Sequence, residues 1–282
     1  MRVLVPTDLT KNSNSAVVTA LAIGDYFLGG ITFVHLRNLP ENFKDLTDAE
    51  FKIQHPEMNE EVSLAIDNLN KLVKDCSERG IKADYIIESN IKKDTIKGLA
   101  DKSLYDLIVM GSLFTDGNKD RPLGNCMKEL IRYTTIPVLA TKTILKDKIE
   151  KVALLSDFNN EYRINENWIN SFILKLKAKL FLCCVNTPAL FYDYRTMTKR
   201  MNDFKMDFDF ETTEVIYNDY QFDTGIKHMY EDLDLDLIIM NTHGKKGMDQ
   251  FGRGGITEQI VDRLEVPILC LPLLDPQPAL KS

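Results

Sequence analysis

A glycine-rich stretch near the end of the chain contains residue types suited to binding an anion. The segment Asn241-Thr242-His243-Gly244-Lys245-Lys246-Gly247 follows an apolar run, and Gly254-Gly255 precedes an amphipathic run that includes Ile260 and Leu264. This order predicts a strand, a glycine loop and a helix. Backbone N–H groups and the helix dipole then face the bound anion. The chemistry indicated is phosphate binding.

The same pattern occurs once before, at an offset of 130 residues. Asp106-Leu107-Ile108-Val109-Met110-Gly111-Ser112 aligns with Asp236-Leu237-Ile238-Ile239-Met240-Asn241-Thr242. The offset continues without a gap through three further pairs, Gly117/Gly247, Gly124/Gly254 and Pro137/Pro267. Self-similarity over this length is typical of a duplicated domain.

The starts of the two copies also align, at an offset of 149 residues. Val3-Leu4-Val5-Pro6-Thr7-Asp8 matches Val152-Ala153-Leu154-Leu155-Ser156-Asp157. The difference between 149 and 130 indicates that the second copy lacks about 19 residues between its first and fourth strands. We expect a first domain over residues 1–145 and a second over residues 146–282, each of a size that can bury its own core.

Composition narrows the functional classes. A net charge of −7 over 282 residues argues against a general nucleic-acid-binding protein. No apolar run approaches the roughly 18 residues that span a bilayer, so we predict no membrane partner. The five cysteines form no CxxC pair and the four histidines have no ligand spacing, which predicts no structural metal. We expect buried, reduced cysteines and a cytoplasmic location.

Short apolar runs alternate with helical patterns in both copies, which predicts an α/β fold. Each copy is expected to form a doubly wound, open, parallel, five-stranded sheet with right-handed crossovers. The predicted strands are 2–6, 31–36, 83–88, 106–110 and 138–141 in the first copy, and near 180–185, 213–217, 237–240 and 268–271 in the second after a first strand at Val152. The stretch 38–56 is predicted as a long polar connection. The irregular stretch 187–210 is interpreted as a short packed helix or, alternatively, a partner or ligand surface.

In such a sheet a ligand lies beyond the carboxyl ends of the strands, where the strand order reverses. The predicted strands place Asp8, Leu36 and the loop from Gly111 to Asn125 at that edge of the first copy. Their counterparts in the second copy are Asp157, Val185 and the loop from Asn241 to Gly255. An alternative interpretation gives these residues structural roles: the glycines serve a tight turn, and each Asp caps the helix that follows.

The chain resembles the universal stress protein family at three places in each copy. In the first copy these are Pro6-Thr7-Asp8, Val34-His35-Leu36 and the glycine loop after the fourth strand. The resemblance implies an adenine nucleotide alpha hydrolase-like fold with strand order 3-2-1-4-5. Nucleotide-binding members of the family carry G-x-x-G, nine residues, then G-[ST] after the fourth strand. They bind ATP with the adenine near the first-strand Asp and the phosphates on the loop.

The resemblance implies a nucleotide site in the second copy formed by Asp157, Val185, Asn241, His243, Gly244, Gly247, Gly254 and Gly255. Asn241 and Gly255 depart from the motif, which has Gly and Ser or Thr there. His243 is interpreted as an exposed loop residue, since no acid or base partner is visible for it. We predict no catalytic residues and no metal site of the protein's own. Mg²⁺ is expected only together with nucleotide.

The resemblance implies a weaker site in the first copy, formed by Asp8, Leu36, Gly111, Gly117, Gly124 and Asn125. Phe114 replaces the second motif glycine, and a side chain there obstructs close approach of a phosphate to the backbone. The loop 112–123 has a net charge of zero, whereas the loop 242–253 has a net charge of +2. A polyphosphate should therefore prefer the second copy.

The function expected is a stress-response module that binds ATP or another adenine nucleotide without efficient catalysis. Neither a nucleophile–base pair nor a GxxxxGK[ST] loop is present in the sequence, so at most a slow ATPase is expected. The alternative is a non-nucleotide scaffold with decayed pockets that binds a protein or small ligand. The resemblance also implies that Val138–Thr141 and Ile268–Leu271 join the two copies into an intramolecular pseudo-dimer.

Overall fold

The structure is a computed structural model. It describes residues 1–10, 13–24, 26, 29–37, 39–40, 42–89, 98, 104–111, 127, 130–132, 134–146, 148–159, 164–205, 208–242 and 256–272.

The first half of the chain contains strands and helices in alternation, with two helices in succession between the second and third strands. Its strands are β1 (Val3–Thr7), β2 (Ile31–Arg37), β3 (Ala83–Ser89), β4 (Leu107–Met110) and β5 (Val138–Ala140), and its helices are α1 (Asn14–Gly24), α2 (Asp48–Gln54) and α3 (Pro56–Glu78). Residues 130–132, just before β5, are also helical.

The second half repeats this order with a shorter connection after its second strand. Its strands are β6 (Lys151–Leu155), β7 (Lys179–Asn186), β8 (Thr212–Asn218), β9 (Leu237–Thr242) and β10 (Ile268–Pro272), and its helices are α4 (Glu166–Leu176), α5 (Tyr194–Lys205), α6 (Phe222–Asp232) and α7 (Ile256–Arg263).

The strands form one ten-stranded sheet in the order β3-β2-β1-β4-β5-β10-β9-β6-β7-β8. Within each half all pairings are parallel and follow the expected order 3-2-1-4-5. The halves meet where β5 pairs antiparallel with β10, with Leu139 opposite Leu269. The predicted fold class is therefore confirmed. The two five-stranded sheets form one continuous sheet across the β5–β10 pair, which we call the seam.

Both faces of the sheet are covered, which explains why inner strands such as β4 and β9 begin with continuous apolar runs. Successive strand residues point to opposite faces. Val3, Val5 and Leu107 contribute to one core cluster, whereas Leu4 and Ile108 contribute to the other. Each cluster draws residues from both halves, so apolar packing as well as strand pairing joins them.

The stretch 38–56 differs from the expected polar connection, because it contains the helix α2. Thr47 and Glu50 form a capping box in which the Thr47 hydroxyl accepts from the Glu50 N–H and the Glu50 carboxylate accepts from the Thr47 N–H. Phe51 is buried against Leu39 and Val62. The Thr-x-x-Glu pattern at Thr47 and Glu50 is the sequence signature of this helix start.

The stretch 187–210 contains the helix α5, so the prediction of a packed helix is confirmed. Met197, Met201 and Phe204 form its buried face. The sequence also predicts a helix over 94–103, of which the structure describes only Gly98, which is helical.

The described cysteines are all buried thiols: Cys76, Cys183, Cys184 and Cys270. Burial raises the pKa of Cys76 to about 11 and those of Cys183 and Cys184 to about 12, so these groups stay protonated at neutral pH. Among helices in the described ranges, none combines the length and apolar character needed to cross a bilayer.

Candidate functional site

The strand order of the second half reverses at β6, which pairs with β7 on one side and with β9 on the other. The carboxyl ends of these three parallel strands lie at one edge of the sheet. Asp157 follows β6, Val185 and Asn186 end β7, and Asn241 lies near the end of β9. The parallel register therefore brings together the described part of the site predicted for the second half. His243, Gly244, Gly247, Gly254 and Gly255 lie outside the described residues.

Asp157 is held in a tight turn after β6. Its Oδ1 accepts a hydrogen bond from the Asn159 N–H at 3.2 Å, and the Ser156 hydroxyl accepts one from the Phe158 N–H at 3.1 Å. Phe158 adopts a left-handed conformation with φ 48°, which is unfavourable for a side chain with a Cβ. Asn165, not Asp157, caps the helix α4, so the helix-capping role considered for Asp157 is wrong.

Tyr192 lies against the Asp157 carboxylate. Its hydroxyl donates to Asp157 Oδ2 at 3.2 Å, and Arg200 donates from Nη1 to the Asp157 carbonyl oxygen at 3.1 Å. The Arg200 guanidinium also lies over the Tyr192 ring, 4.8 Å from its centroid. Burial, with smaller contributions from the charge and hydrogen bond of Asp157, raises the pKa of the Tyr192 hydroxyl, which therefore remains a donor at neutral pH.

Asn186, at the end of β7, fixes Tyr192 in this position. Its Nδ2 donates to the Tyr192 carbonyl at 3.1 Å, and its Oδ1 accepts from the Tyr192 N–H at 3.1 Å. The Asn186 amide is buried and also donates to Asn218 Oδ1 at the end of β8. Sequence reasoning missed these residues, since its only signal was the aromatic residues among charges in 187–210.

The Val185 side chain is part of the core. A Cβ built on Gly225 of α6 would lie 2.6 Å from Val185 Cγ1, so this glycine permits helix and strand to pack closely. Val185 is 3% exposed. A ligand at this edge of the sheet would therefore meet the end of β7 without contacting the Val185 side chain.

Asn241 presents a buried acceptor without a partner. Its Oδ1 makes no hydrogen bond within the described part of the chain. Its backbone carbonyl accepts from the Thr257 hydroxyl of α7 at 2.8 Å, which ties the end of β9 to the start of that helix. An unpaired buried oxygen is costly. An N–H or O–H donor of a bound ligand, such as an adenine amino group or a ribose hydroxyl, fits this acceptor chemically.

The first half has the same turn after its first strand. Asp8 Oδ1 accepts from the Thr10 N–H at 3.0 Å, the Thr7 hydroxyl accepts from the Leu9 N–H at 3.1 Å, and Leu9 is left-handed with φ 60°. Each residue corresponds to its second-half counterpart at the offset of 149. Because α1 begins at Asn14 and Asp8 bonds to Thr10, Asp8 does not cap that helix either.

Less of the site predicted for the first half is described. Gly111 is buried directly after β4. Leu36 lies within β2, and its side chain is outside the described part. Gly117, Gly124 and Asn125 fall outside the described residues. The two halves therefore share their strand-end geometry, while the second also carries the Asn241 acceptor and the Tyr192 contact.

Fold and strand-end geometry together define a tandem, doubly wound α/β protein with a candidate ligand site at a topological switch point. A family model described as "Universal stress protein family" matches residues 1–142. The chain belongs to the universal stress protein family. No curated protein matches it.

Solved structures with low sequence identity share the fold over both halves. A universal stress protein from Archaeoglobus fulgidus DSM 4304 is 20% identical with a TM-score of 0.72, covering 96% of this chain and 98% of that chain. A functionally unknown protein from Pseudomonas aeruginosa PAO1 is 17% identical with a TM-score of 0.65, covering 96% of this chain and 92% of that chain. At these identities the likeness concerns the fold.

Proposed function

We propose that this chain is a stress-response protein that binds ATP or another adenine nucleotide in its second half without efficient catalysis. The observation that carries the proposal is the buried Asn241 Oδ1, which has no hydrogen-bond partner among the described residues and lies at the sheet edge where the strand order reverses. Doubly wound sheets bind ligands at this edge, and buried polar atoms of native proteins normally have partners. Family membership supports the same ligand class.

In this proposal the ends of the nucleotide have separate environments. The loop 242–253, with a net charge of +2, receives the phosphates on its backbone N–H groups, with Gly244, Gly247 and Gly254 permitting close approach. The base and ribose lie between Asp157 and Asn241. Mg²⁺ arrives only with the phosphates. The corresponding site of the first half, whose loop 112–123 has a net charge of zero and contains Phe114, is expected to bind more weakly.

The proposal also covers the organisation of the chain. We assign one domain to residues 1–145 and a second to 146–282, joined through β5 and β10 as an intramolecular pseudo-dimer. The net charge of −7 argues against a nucleic-acid partner. Protonated, buried thiols are consistent with a cytoplasmic location.

A second candidate function is a non-nucleotide scaffold, which the Tyr192 contact favours. Tyr192 and Arg200 engage both the side chain and the backbone carbonyl of Asp157, in the region where the base is proposed to lie. If this arrangement is permanent, the edge of the sheet is closed, and the surface of the β7–α5 segment is what remains for a partner.

Equilibrium binding of ATP to the purified full chain, by calorimetry, distinguishes the two. We expect saturable binding that is lost in Gly247→Val and retained in Gly117→Val, the substitution at the equivalent position of the first half. Absence of saturable binding up to millimolar ATP, or identical binding by the two variants, would overturn the proposed site. Mass spectrometry of ligands that co-purify with the chain would then identify what the scaffold binds.

A further inference from the structure

The seam between the halves has approximate two-fold symmetry. Across β5 and β10, Val138 pairs with Cys270, Leu139 with Leu269 and Ala140 with Ile268. The repeat offset of 130 makes Leu139 equivalent to Leu269, and Val138 to Ile268. The axis therefore passes between Leu139 and Leu269. Each contact between the strands recurs with the two halves exchanged: Val138 pairs with Cys270, and Ile268 pairs with Ala140. A symmetric dimer of identical chains has the same arrangement.

An ion pair bridges the halves beside this seam. Arg132 Nε donates to Glu258 Oε1 at 2.8 Å, and Arg132 Nη2 donates to Glu258 Oε2 at 2.6 Å. The Glu258 side chain is only 8% exposed and that of Arg132 24%. A two-point guanidinium–carboxylate contact is among the strongest and most geometrically specific hydrogen-bonded pairs. Removing Arg132 takes the ion-pair partner away from a carboxylate that is almost fully buried.

The repeat shows what would happen if like halves met. At the offset of 130, Glu258 is equivalent to Lys128, and Arg132 is equivalent to Asp262. The first half thus carries two basic residues at these positions, and the second half carries two acidic ones. Since the observed contact joins position 132 of one half to position 128 of the other, two first halves would bring Arg132 against Lys128. Two second halves would bring Asp262 against Glu258.

We infer that the charges beside the seam determine which halves pair. They favour the pairing of a first half with a second half and disfavour the pairing of two first halves or two second halves. Apolar strand residues such as Leu139 and Leu269 are the same in both halves and cannot distinguish them. Opposite charges at the Arg132–Glu258 contact favour the pairing of one first half with one second half, and like charges disfavour the others. The partner that this surface fits is the second half of the chain, and not another copy of the first.

A double-mutant cycle on the full chain tests the inference. Arg132→Glu makes the contact acidic on both sides, Glu258→Arg makes it basic on both sides, and the double exchange restores opposite charges. We expect each single reversal to lower the midpoint of thermal unfolding by about 5 °C or more. The double exchange should recover at least half of the summed loss. Additive losses would overturn the inference.

Two further variants separate repulsion from the loss of the pair. Arg132→Gln and Glu258→Gln remove the attraction without creating like charges, and each should cost less than the corresponding reversal. If a reversed chain does not fold, the neutral pair forms its own cycle, and we expect the second Gln to cost less than the first. Equal losses for reversal and neutralisation would contradict rejection of like halves.

Charge reversal at an ion pair within one half provides a control for the reversals themselves. Arg263, on the same helix as Glu258, donates to Asp223 Oδ2 at 2.9 Å with its side chain 62% exposed. Exchanging these charges singly or together alters a contact that does not cross the seam. Changes of about 2 °C or less are expected, because exposed ion pairs contribute little.

Discussion

At the scale of single residues, the strand ends combine backbone strain with a buried acceptor, Asn241 Oδ1, that has no partner in the part of the chain the structure describes. Leu9 and Phe158 both have positive φ, and each follows the aspartate that lies just after the first strand of its half. Strained residues persist only where surrounding contacts hold them, and they concentrate at functional sites. Because both halves retain the turn, the second half differs in its Asn241 acceptor and in the Tyr192 hydroxyl that contacts Asp157.

The Tyr192 hydroxyl should oppose nucleotide binding at Asp157. Tyr192→Phe removes the hydrogen bond to Asp157 Oδ2 and keeps the ring under Arg200. The carboxylate then becomes available to a ligand, and we expect the affinity for ATP to rise about five-fold, the equivalent of one hydrogen bond of about 1 kcal/mol. Calorimetric titration of ATP measures the change.

Tyr217→Phe is the control for that prediction. Its hydroxyl donates to Asp232 Oδ2 at 3.1 Å, at a contact that does not include Asp157. Affinity for ATP should be unchanged in this variant. A lower affinity in Tyr192→Phe would show that the hydroxyl contacts the ligand instead of competing with it.

At the scale of elements, a carboxylate at the start of the fourth strand fastens the start of the first strand in each half. Asp106 Oδ2 accepts from the Arg2 N–H at 2.7 Å. Asp236 Oδ2 accepts from the Glu150 and Lys151 N–H groups at 2.8 and 2.9 Å. The second contact also includes Lys146, whose Nζ lies 2.8 Å from Asp236 Oδ1. The connection between the halves is thereby attached to the sheet.

We predict that Asp236→Asn destabilises the chain by about 2 kcal/mol, the scale of hydrogen bonds to a buried charge. Asp106→Asn should cost less than about 1 kcal/mol, because the Asp106 carboxylate is 57% exposed against 5% for Asp236. Urea unfolding at neutral pH measures both. Equal losses would show that burial does not determine the strength of this contact.

The contribution of Asp236 should depend on pH. Burial acts to raise its pKa, but hydrogen bonds from Lys146, Glu150 and Lys151 outweigh burial, and the pKa is lowered. A lowered pKa stabilises the fold above the unfolded value of about 3.9, and this stabilisation is lost as the pH falls toward the folded value. The difference between wild type and Asp236→Asn should therefore shrink between about pH 5 and pH 3. A difference that stays constant over this range would exclude the charge as its origin.

The pattern of apolar residues along the sequence was enough to predict the buried strands. Leu107–Met110 and Leu237–Met240 were recognised because a parallel strand buried on both faces is an uninterrupted apolar run. Equivalence of Leu9 and Phe158 follows from the repeat offset alone. The Tyr192 contact was not predictable in this way, because Asn186 positions it through side-chain hydrogen bonds that no periodicity encodes.

At the scale of the whole molecule, the seam makes two similar halves into one sheet. Single-sequence reasoning identified the duplication, but the partner of each fifth strand came only from the resemblance, since an apolar edge strand is compatible with many partners. The Arg132–Glu258 contact joins positions 126 apart in sequence, and it becomes interpretable only when the symmetry is known. Both core clusters also continue across the seam.

Because the core is continuous, a cavity at the seam should weaken both halves. Leu269→Ala removes a side chain that is 0% exposed and paired with Leu139, and we expect a loss of about 2–5 kcal/mol. Hydrogen exchange should show reduced protection in β4 and β5 as well as in β9 and β10, since local openings follow cooperative units.

Leu182→Ala in β7, equally buried but distant from the seam in the strand order, is the matched control. Its effect should be confined to β6, β7 and β8. If Leu269→Ala leaves protection in β4 and β5 unchanged, the halves unfold independently and the seam is an interface between two separate domains.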